Sequence, residues 1–349
     1  MNYNDKEEMK FAYNEIADIY SLWQLEQINY KEYTENLLKL VFLYAERSID
    51  NEFNNFRHDL SCKYQELKVL ELGCSSGSIA MELAKLSCHT LGVDFSKKMI
   101  ELAESTRDTY LLDGNKRIEL EYLCADFCDD DFVEKVKNLG FDEFDIIIAS
   151  LDTLNHIQPS RLAKLFSNIE KLSKKGTTFV FDILSEEYFY NVFTHPYVKN
   201  FGDQYLIWEN ELSEEPLVNH ITITAFRKMD VEMSEGNGGE LDKGARPLFA
   251  KSVCKMKEYF HEPSELEMVA MKTGFELEFL DYTVDSQAFE LAEDYILEAD
   301  ELNESINDFN SFECDCDAET IRQYFVDNLP ERFLLIFSKK ASQSSLGDR

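Results

Sequence analysis

No apolar run in this 349-residue chain approaches the roughly 20 residues that a membrane-spanning helix requires. The opening stretch, MNYNDKEEMKFAYNEIA, lacks the basic and apolar regions of a secretory or mitochondrial leader, so a cytoplasmic protein is expected. Paired cysteine spacing is also missing. The eight cysteines, Cys62, Cys74, Cys88, Cys124, Cys128, Cys254, Cys314 and Cys316, show no zinc-site pattern, and several sit inside apolar runs. Free thiols in a reducing compartment and no metal are the expectation. Basic residues are scarce, 35 Lys and Arg against 68 Asp and Glu, for a formal net charge of −33. Such a field repels a phosphate backbone, which argues against nucleic acid, and it attracts a cationic small molecule.

What the chain does have is alternation. Residues 8–50 carry Phe11, Ile16, Ile19, Tyr20 and then Leu37, Leu38, Val41 and Tyr44 near helical spacing, and predict two helices. A polar stretch at 51–65 follows. Strand-like runs then alternate with helical ones: KVLELG (68–73), TLGVD (90–94), IELEYLCAD (118–126), FDIIIASL (144–151) and TTFVFDIL (177–184). Val-, Ile- and Leu-rich strands separated by helices predict an α/β fold, a parallel sheet covered on both faces. Beyond residue 184 three long strand-like runs, 204–212, 220–229 and 248–260, have no helix between them and predict an antiparallel lobe. Ser264 and Gly274 read as the cap and stop of a helix, and RFLLIFSKK (332–340) as a final strand.

These signals divide the chain into an N-terminal helical cover (1–60), a ligand-binding core (61–184), an antiparallel lobe (185–262) and a return to the core (263–340). The return is interrupted by an acidic helical insertion (285–331) whose only basic residue is Arg322. A disordered tail is expected at 341–349.

Gly73-Cys74-Ser75-Ser76-Gly77 joins a strand to a helix, where glycines admit a ligand to the backbone and the helix offers free amides. Ser75 stands where a dinucleotide fold needs a glycine for the pyrophosphate. A ligand with a carboxylate and no phosphate fits better. Asp94 ends the second strand, placed to accept ribose hydroxyls. Asp126 and Phe127 end the third, placed for the edge and face of an adenine.

VLELGCSSG, LGVDFSKKMIELA and CADF resemble the successive motifs of class I S-adenosylmethionine-dependent methyltransferases. The resemblance implies a Rossmann-like seven-stranded sheet with an antiparallel last strand, and S-adenosyl-L-methionine as cofactor. It draws its contacts from Tyr20, Glu71, Gly73, Cys74, Ser75, Gly77, Asp94, Phe95, Met99, Asp126, Phe127 and Leu151. The stretch ADIYSLWQLEQINYKEYTENLLKL, the loop DTLNHI and the run MKEYFHEPSELEMVAMKTGFE look like small-molecule N-methyltransferases of the amino-sugar and glycine type. In those, an N-terminal segment bearing tyrosines, here Tyr20 and Tyr33, covers the cofactor, and an antiparallel lobe holds the substrate.

The reaction needs a free amine, so a group must handle a proton. His156, Asp152 and Asn155 follow the fourth strand and are the catalytic candidates: His156 to take the proton, Asp152 to pair with a cation and Asn155 to orient it. Tyr13, Tyr20, Trp23 and Tyr33 are candidates for cation–π contact with a sulfonium or ammonium. His261 and Glu262 either face the pocket or cap the next helix. A small-molecule amine acceptor is the expectation. Methylation at oxygen or carbon, and a non-catalytic S-adenosylmethionine-binding protein, are the alternatives.

Overall fold

The computed structural model describes residues 3–48, 67–115, 117–192, 196–229, 248–283 and 332–340. The expected acidic insertion at 285–331, the polar stretch at 51–65 and the tail at 341–349 lie outside the described residues. Two helices open the chain, α1 (Tyr3–Gln27) and α2 (Tyr30–Ser48). The core then runs β1 (Lys68–Leu72), α3 (Ser78–Lys85), β2 (His89–Asp94), α4 (Lys97–Leu112), β3 (Leu120–Cys124), α5 (Phe132–Asn138) and β4 (Phe144–Ala149). A short 3-10 turn, Thr153–His156, leads into α6 (Pro159–Lys171) and β5 (Ser173–Leu184).

Seven strands form the main sheet in the order β10-β11-β5-β4-β1-β2-β3, with β10 spanning Phe275–Thr283 and β11 Arg332–Lys339. Neighbours among β1 to β5 pair in parallel, while β11 runs antiparallel to both β5 and β10. This is the expected α/β Rossmann-like arrangement. Strands β1, β2 and β4 are buried over nearly their whole length because both faces are covered. On one face Leu37, Leu38 and Val41 of α2 pack on Val69, Ile146, Ile148 and Val180. On the other, Leu165, Phe166 and Ile169 of α6 pack on Phe144, Ile147, Phe179 and Phe181.

The second sheet, expected with three strands, has four: β6 (Tyr197–Asn200), β7 (Gln204–Glu214), β8 (Leu217–Lys228) and β9 (Phe249–Tyr259), all antiparallel in that order. The edge strand β6 has only 4 residues and one partner, too short to show a period. It is preceded by α7 (Glu186–Val192), which the sequence reading also missed. Helix α8 (Pro263–Lys272) starts a residue earlier than expected. Pro263 takes the first helical position, so Glu262 and not Ser264 is the cap residue.

Helix α1 joins the two sheets. Its Met9, Ala12, Ile16 and Ile19 follow one helical face and are buried against Leu206, Ile221, Ile223 and Met256 of the lobe. A fully buried aliphatic side chain contributes roughly 1.5–3 kcal/mol, against ~0–1 kcal/mol for an exposed ion pair. Apolar burial, more than the Arg227–Asp18 bridge at 2.7 Å, therefore seats this helix.

Candidate active site

The carboxyl ends of the parallel strands, where ligands bind in open α/β sheets, open into a cleft of about 990 Å³, mouth included. One end is the turn after β1. Gly73 has φ +71°, and a Cβ there would stand 2.5 Å from Thr153 Oγ1, so this close approach of β1 to the loop after β4 requires glycine. Ser75 and Ser76 line the cleft, with Ser75 itself left-handed at φ 49°. Asp94 holds that shape. Its Oδ2 accepts from Ser75 N at 3.0 Å and its Oδ1 from Ser96 N at 2.7 Å. Each oxygen keeps a further lone pair toward the cleft. Burial lifts this carboxyl to about 6, against the two amide bonds that lower it.

Glu71 also lines the cleft, almost wholly buried, and its Oε2 has no hydrogen-bond partner among the described residues. Burial drives its carboxyl well above the usual range, with the charge of Asp94 adding to the effect. A buried unpaired oxygen is costly unless a ligand completes it.

Across the cleft stand Asp126 and Phe127. Asp126 is clamped: Lys6 of α1 lies 2.7 Å and Arg161 of α6 3.0 Å from its Oδ2, while Oδ1 accepts from Cys128 N at 2.8 Å. Burial alone would raise it, but the Lys6 hydrogen bond and the Arg161 charge hold it below the usual carboxylate range. Its position beside the cleft matches the sequence reading; its two cationic partners do not appear in that reading. Lys6 pins α1 over the cleft, so the helix roofs the site as well as joining the sheets.

Met99 and Gly77 lie outside the cleft lining. Met99 is fully buried, its Sδ 3.5 Å from Ser75 Oγ, so it packs beneath the turn. Gly77, at φ +83°, is needed because a Cβ would collide with Tyr122 and Ala103. Tyr20, Cys74, Phe95 and Leu151 do line the cleft. Tyr33 is buried with the α2 core, and Trp23 packs against Tyr20 and Trp208; neither lines the cleft.

The far end of the cleft belongs to the loop after β4. His156 faces Tyr13 of α1, with the Tyr13 hydroxyl 2.9 Å from Nε2, and its Nδ1 lies 3.2 Å from the Lys257 carbonyl. The carbonyl can only accept, so Nδ1 carries the proton and Nε2 receives the Tyr13 hydroxyl. Burial lowers the imidazole below its ordinary value, against the opposing pull of Asp152. Tyr13 and Tyr20 share a hydrogen bond, which extends the chain of polar atoms along the roof.

Asn155 is placed differently from the expectation that it reaches a ligand from the loop. Asn155 is fully buried, its Nδ2 donating to Tyr259 O and its Oδ1 accepting from Leu184 N, both at 2.9 Å. Both ends of the amide are taken, so it staples the loop to the lobe and to β5 and touches nothing in the cleft. Asp152 lies just behind the cleft wall, 2.7 Å from Arg332, which also bridges Asp182 at 2.7 Å. Leu151 and Asp152 both have positive φ, and Asp182 accepts both of their amides. Such conformations cost of order 1–3 kcal/mol each and persist because Asp182 and Arg332 hold them. His261 is buried, Nε2 3.0 Å from Leu154 O, and burial takes it down to about 4; it packs the loop and is not in the cleft.

Residues 69–176 match a family described as a methyltransferase domain. A protein of Geobacillus sp. (strain WCH70), named "Putative methyltransferase", is 28% identical over 120 residues, covering 34% of this chain and 42% of its own length. The match thus spans less than half of that relative. The fold is similar to an S-adenosylmethionine-dependent methyltransferase from Clostridium acetobutylicum ATCC 824, with a TM-score of 0.58 at 16% identity over 94% of this chain and 99% of that one. It is also similar to the CcbJ methyltransferase from Streptomyces caelestis, with a TM-score of 0.57 at 15% identity over 95% and 98%.

Proposed function

We propose that this chain, a class I methyltransferase by its fold and by the domain at residues 69–176, moves the methyl group of S-adenosyl-L-methionine to the nitrogen of a small amine. One observation carries the reading: a single cleft runs from the Glu71–Gly73–Asp94 turn to the Tyr13–His156 pair. The first end suits the cofactor. Glu71 Oε2, unpaired and buried, is free to accept from the ammonium of a methionine moiety. The turn and the start of α3 offer amides to its carboxylate. Asp94 has lone pairs left for ribose hydroxyls, and Phe95 and Phe127 offer apolar surface to a base.

When bound, the cofactor supplies an electrophilic methyl on a sulfonium with a neutral leaving group. The protein then has to align the acceptor, exclude water and accept a proton. Helix α1 closes over the cleft and excludes water. His156, neutral at Nε2, has the protonation state that a proton acceptor needs, and Tyr13 fixes the direction of its lone pair.

The test is incubation with cofactor carrying a ¹³C methyl and a panel of small amines, alcohols and thiols. The new methyl resonance should appear on nitrogen. A methyl found on oxygen, sulfur or carbon overturns the amine reading, and absence of cofactor binding by calorimetry overturns the site itself.

A further inference from the structure

Resting on the methyl-transfer reading, we infer that Asp152, His156 and Glu258 form a seat for the protonated nitrogen of the acceptor, which makes an alkylammonium the substrate class. Glu258 sits on β9 of the lobe, within the run MKEYFHEPSELEMVAMKTGFE. Donor atoms of the three side chains all lie within 4.8 Å of one another. An ammonium with three N–H bonds directed to acceptors about 2.8 Å away sets those acceptors about 4.6 Å apart. That bound admits one nitrogen among them, which takes over the Nε2 lone pair that the Tyr13 hydroxyl holds in the empty site.

The polar inventory points the same way. Glu258 is 5% exposed, and its Oε2 accepts from Asn219 Nδ2 at 3.1 Å. Its Oε1 accepts no hydrogen bond, and no Lys or Arg forms an ion pair with it, among the described residues. Arg332 is engaged with Asp152 and Asp182. Tyr13 and Tyr20 from α1 are neutral, as is Asn219 from β8. Around this corner three carboxylates thus face one guanidinium. A buried carboxylate without a cation takes up a proton, and burial followed by the charge of Asp152 puts Glu258 up to about 8. An ammonium entering the seat supplies the missing positive charge, and Glu258 gives its proton to solvent. Before transfer the nitrogen passes one proton to Nε2 of His156. The amine is left with its lone pair, and Glu258 stays a carboxylate opposite the new imidazolium.

The experiment is calorimetry on protein saturated with S-adenosylhomocysteine, titrated with cyclohexylammonium, cyclohexanol and cyclohexanecarboxylate, three probes of one ring size. It is run at pH 7 in two buffers of different ionisation enthalpy. Only cyclohexylammonium should bind, with release of about one proton. In E258Q its affinity should fall about tenfold or more and the proton release should vanish, while S-adenosylhomocysteine affinity stays as in the parent and reports an intact fold. E258D should keep proton release.

Equal binding of cyclohexanol, or unchanged affinity and proton release in E258Q, overturns the seat. So does binding of Mn²⁺ that E258Q abolishes while no probe amine binds, which would make the triad a metal site. Failure to bind S-adenosylhomocysteine at all overturns the cofactor reading; retained S-adenosylhomocysteine binding without amine binding overturns the seat alone.

Discussion

The Tyr13 hydroxyl lies 2.9 Å from Nε2 of His156, a hydrogen bond between residues 143 positions apart that ties the roof helix to the loop after β4. The Lys257 carbonyl beside Nδ1 fixes which imidazole nitrogen holds the proton, and the Tyr13 hydroxyl donates to the other. Replacing His156 by Ala should lower turnover roughly 100-fold with little change in cofactor affinity. Tyr13→Phe keeps the ring and loses the hydroxyl, so a smaller drop, about tenfold, is expected. Single-turnover rates beside calorimetric cofactor affinities check both, and full activity in His156→Ala removes the imidazole from the chemistry.

At the cofactor end, Asp94 and Glu71 should part in behaviour. Asp94 accepts from two amides that shape the turn, so Asp94→Ala removes both a ligand contact and the support of Ser75. Cofactor affinity should fall about tenfold or more, with some loss of melting temperature. Glu71→Gln keeps the shape and removes the charge, so affinity should fall while thermal stability of the empty protein holds or rises. Equal cofactor affinity in parent and both variants would contradict the placement of the ligand.

Gly73 and Thr153 interlock. A Cβ at Gly73 meets Thr153 Oγ1 at 2.5 Å and Cγ2 at 2.6 Å. Gly73→Ala should destabilise by about 1–3 kcal/mol through overpacking and its positive φ. Adding Thr153→Gly to Gly73→Ala relieves the clash but not the backbone strain, so denaturant midpoints should recover in part. No recovery would mean that the φ angle alone sets the cost.

Glu258 gives a pH signature. Its carboxyl stands at about 8 in the folded chain against an ordinary 4.5, so the folded state binds the proton more tightly than the unfolded one. Stability should fall as pH rises from about 4.5 to about 8, by on the order of 5 kcal/mol. Glu258→Gln should flatten that slope and be the more stable form at pH 9. Parallel stability curves for the two proteins would show that Glu258 does not hold the proton.

The sheet was legible because its signals are local. KVLELG, TLGVD and FDIIIASL are apolar runs that only a doubly covered strand explains, and Gly73 and Asp94 mark strand ends by residue type. Cleft positions were legible where a motif ends a strand or follows one, at Glu71, Ser75 and His156, all of which line the cleft. Elsewhere the deciding contacts are distant in sequence. Lys6 meets Asp129 over 123 positions, Asn155 meets Tyr259 over 104, and Arg332 meets Asp152 over 180. No period or motif marks such pairings. Asn155 was misplaced for that reason: an amide beside a histidine in a loop looks available until both of its ends are found on backbone atoms. Glu258 was missed because it reads as one more polar position in an alternating strand.

Arg332 also sets an order of assembly. Every strand that shapes the cofactor turn is complete by residue 184, yet the guanidinium that balances Asp152 and Asp182 belongs to β11, the last strand of the sheet to emerge during synthesis. Until it docks, the buried Asp182 and the half-buried Asp152 lie without their cation across a turn that already strains against its own backbone. A nascent chain can thus hold the shape of the turn after β1 while the loop after β4 still lacks the cation that settles it, so one end of the cleft matures after the other.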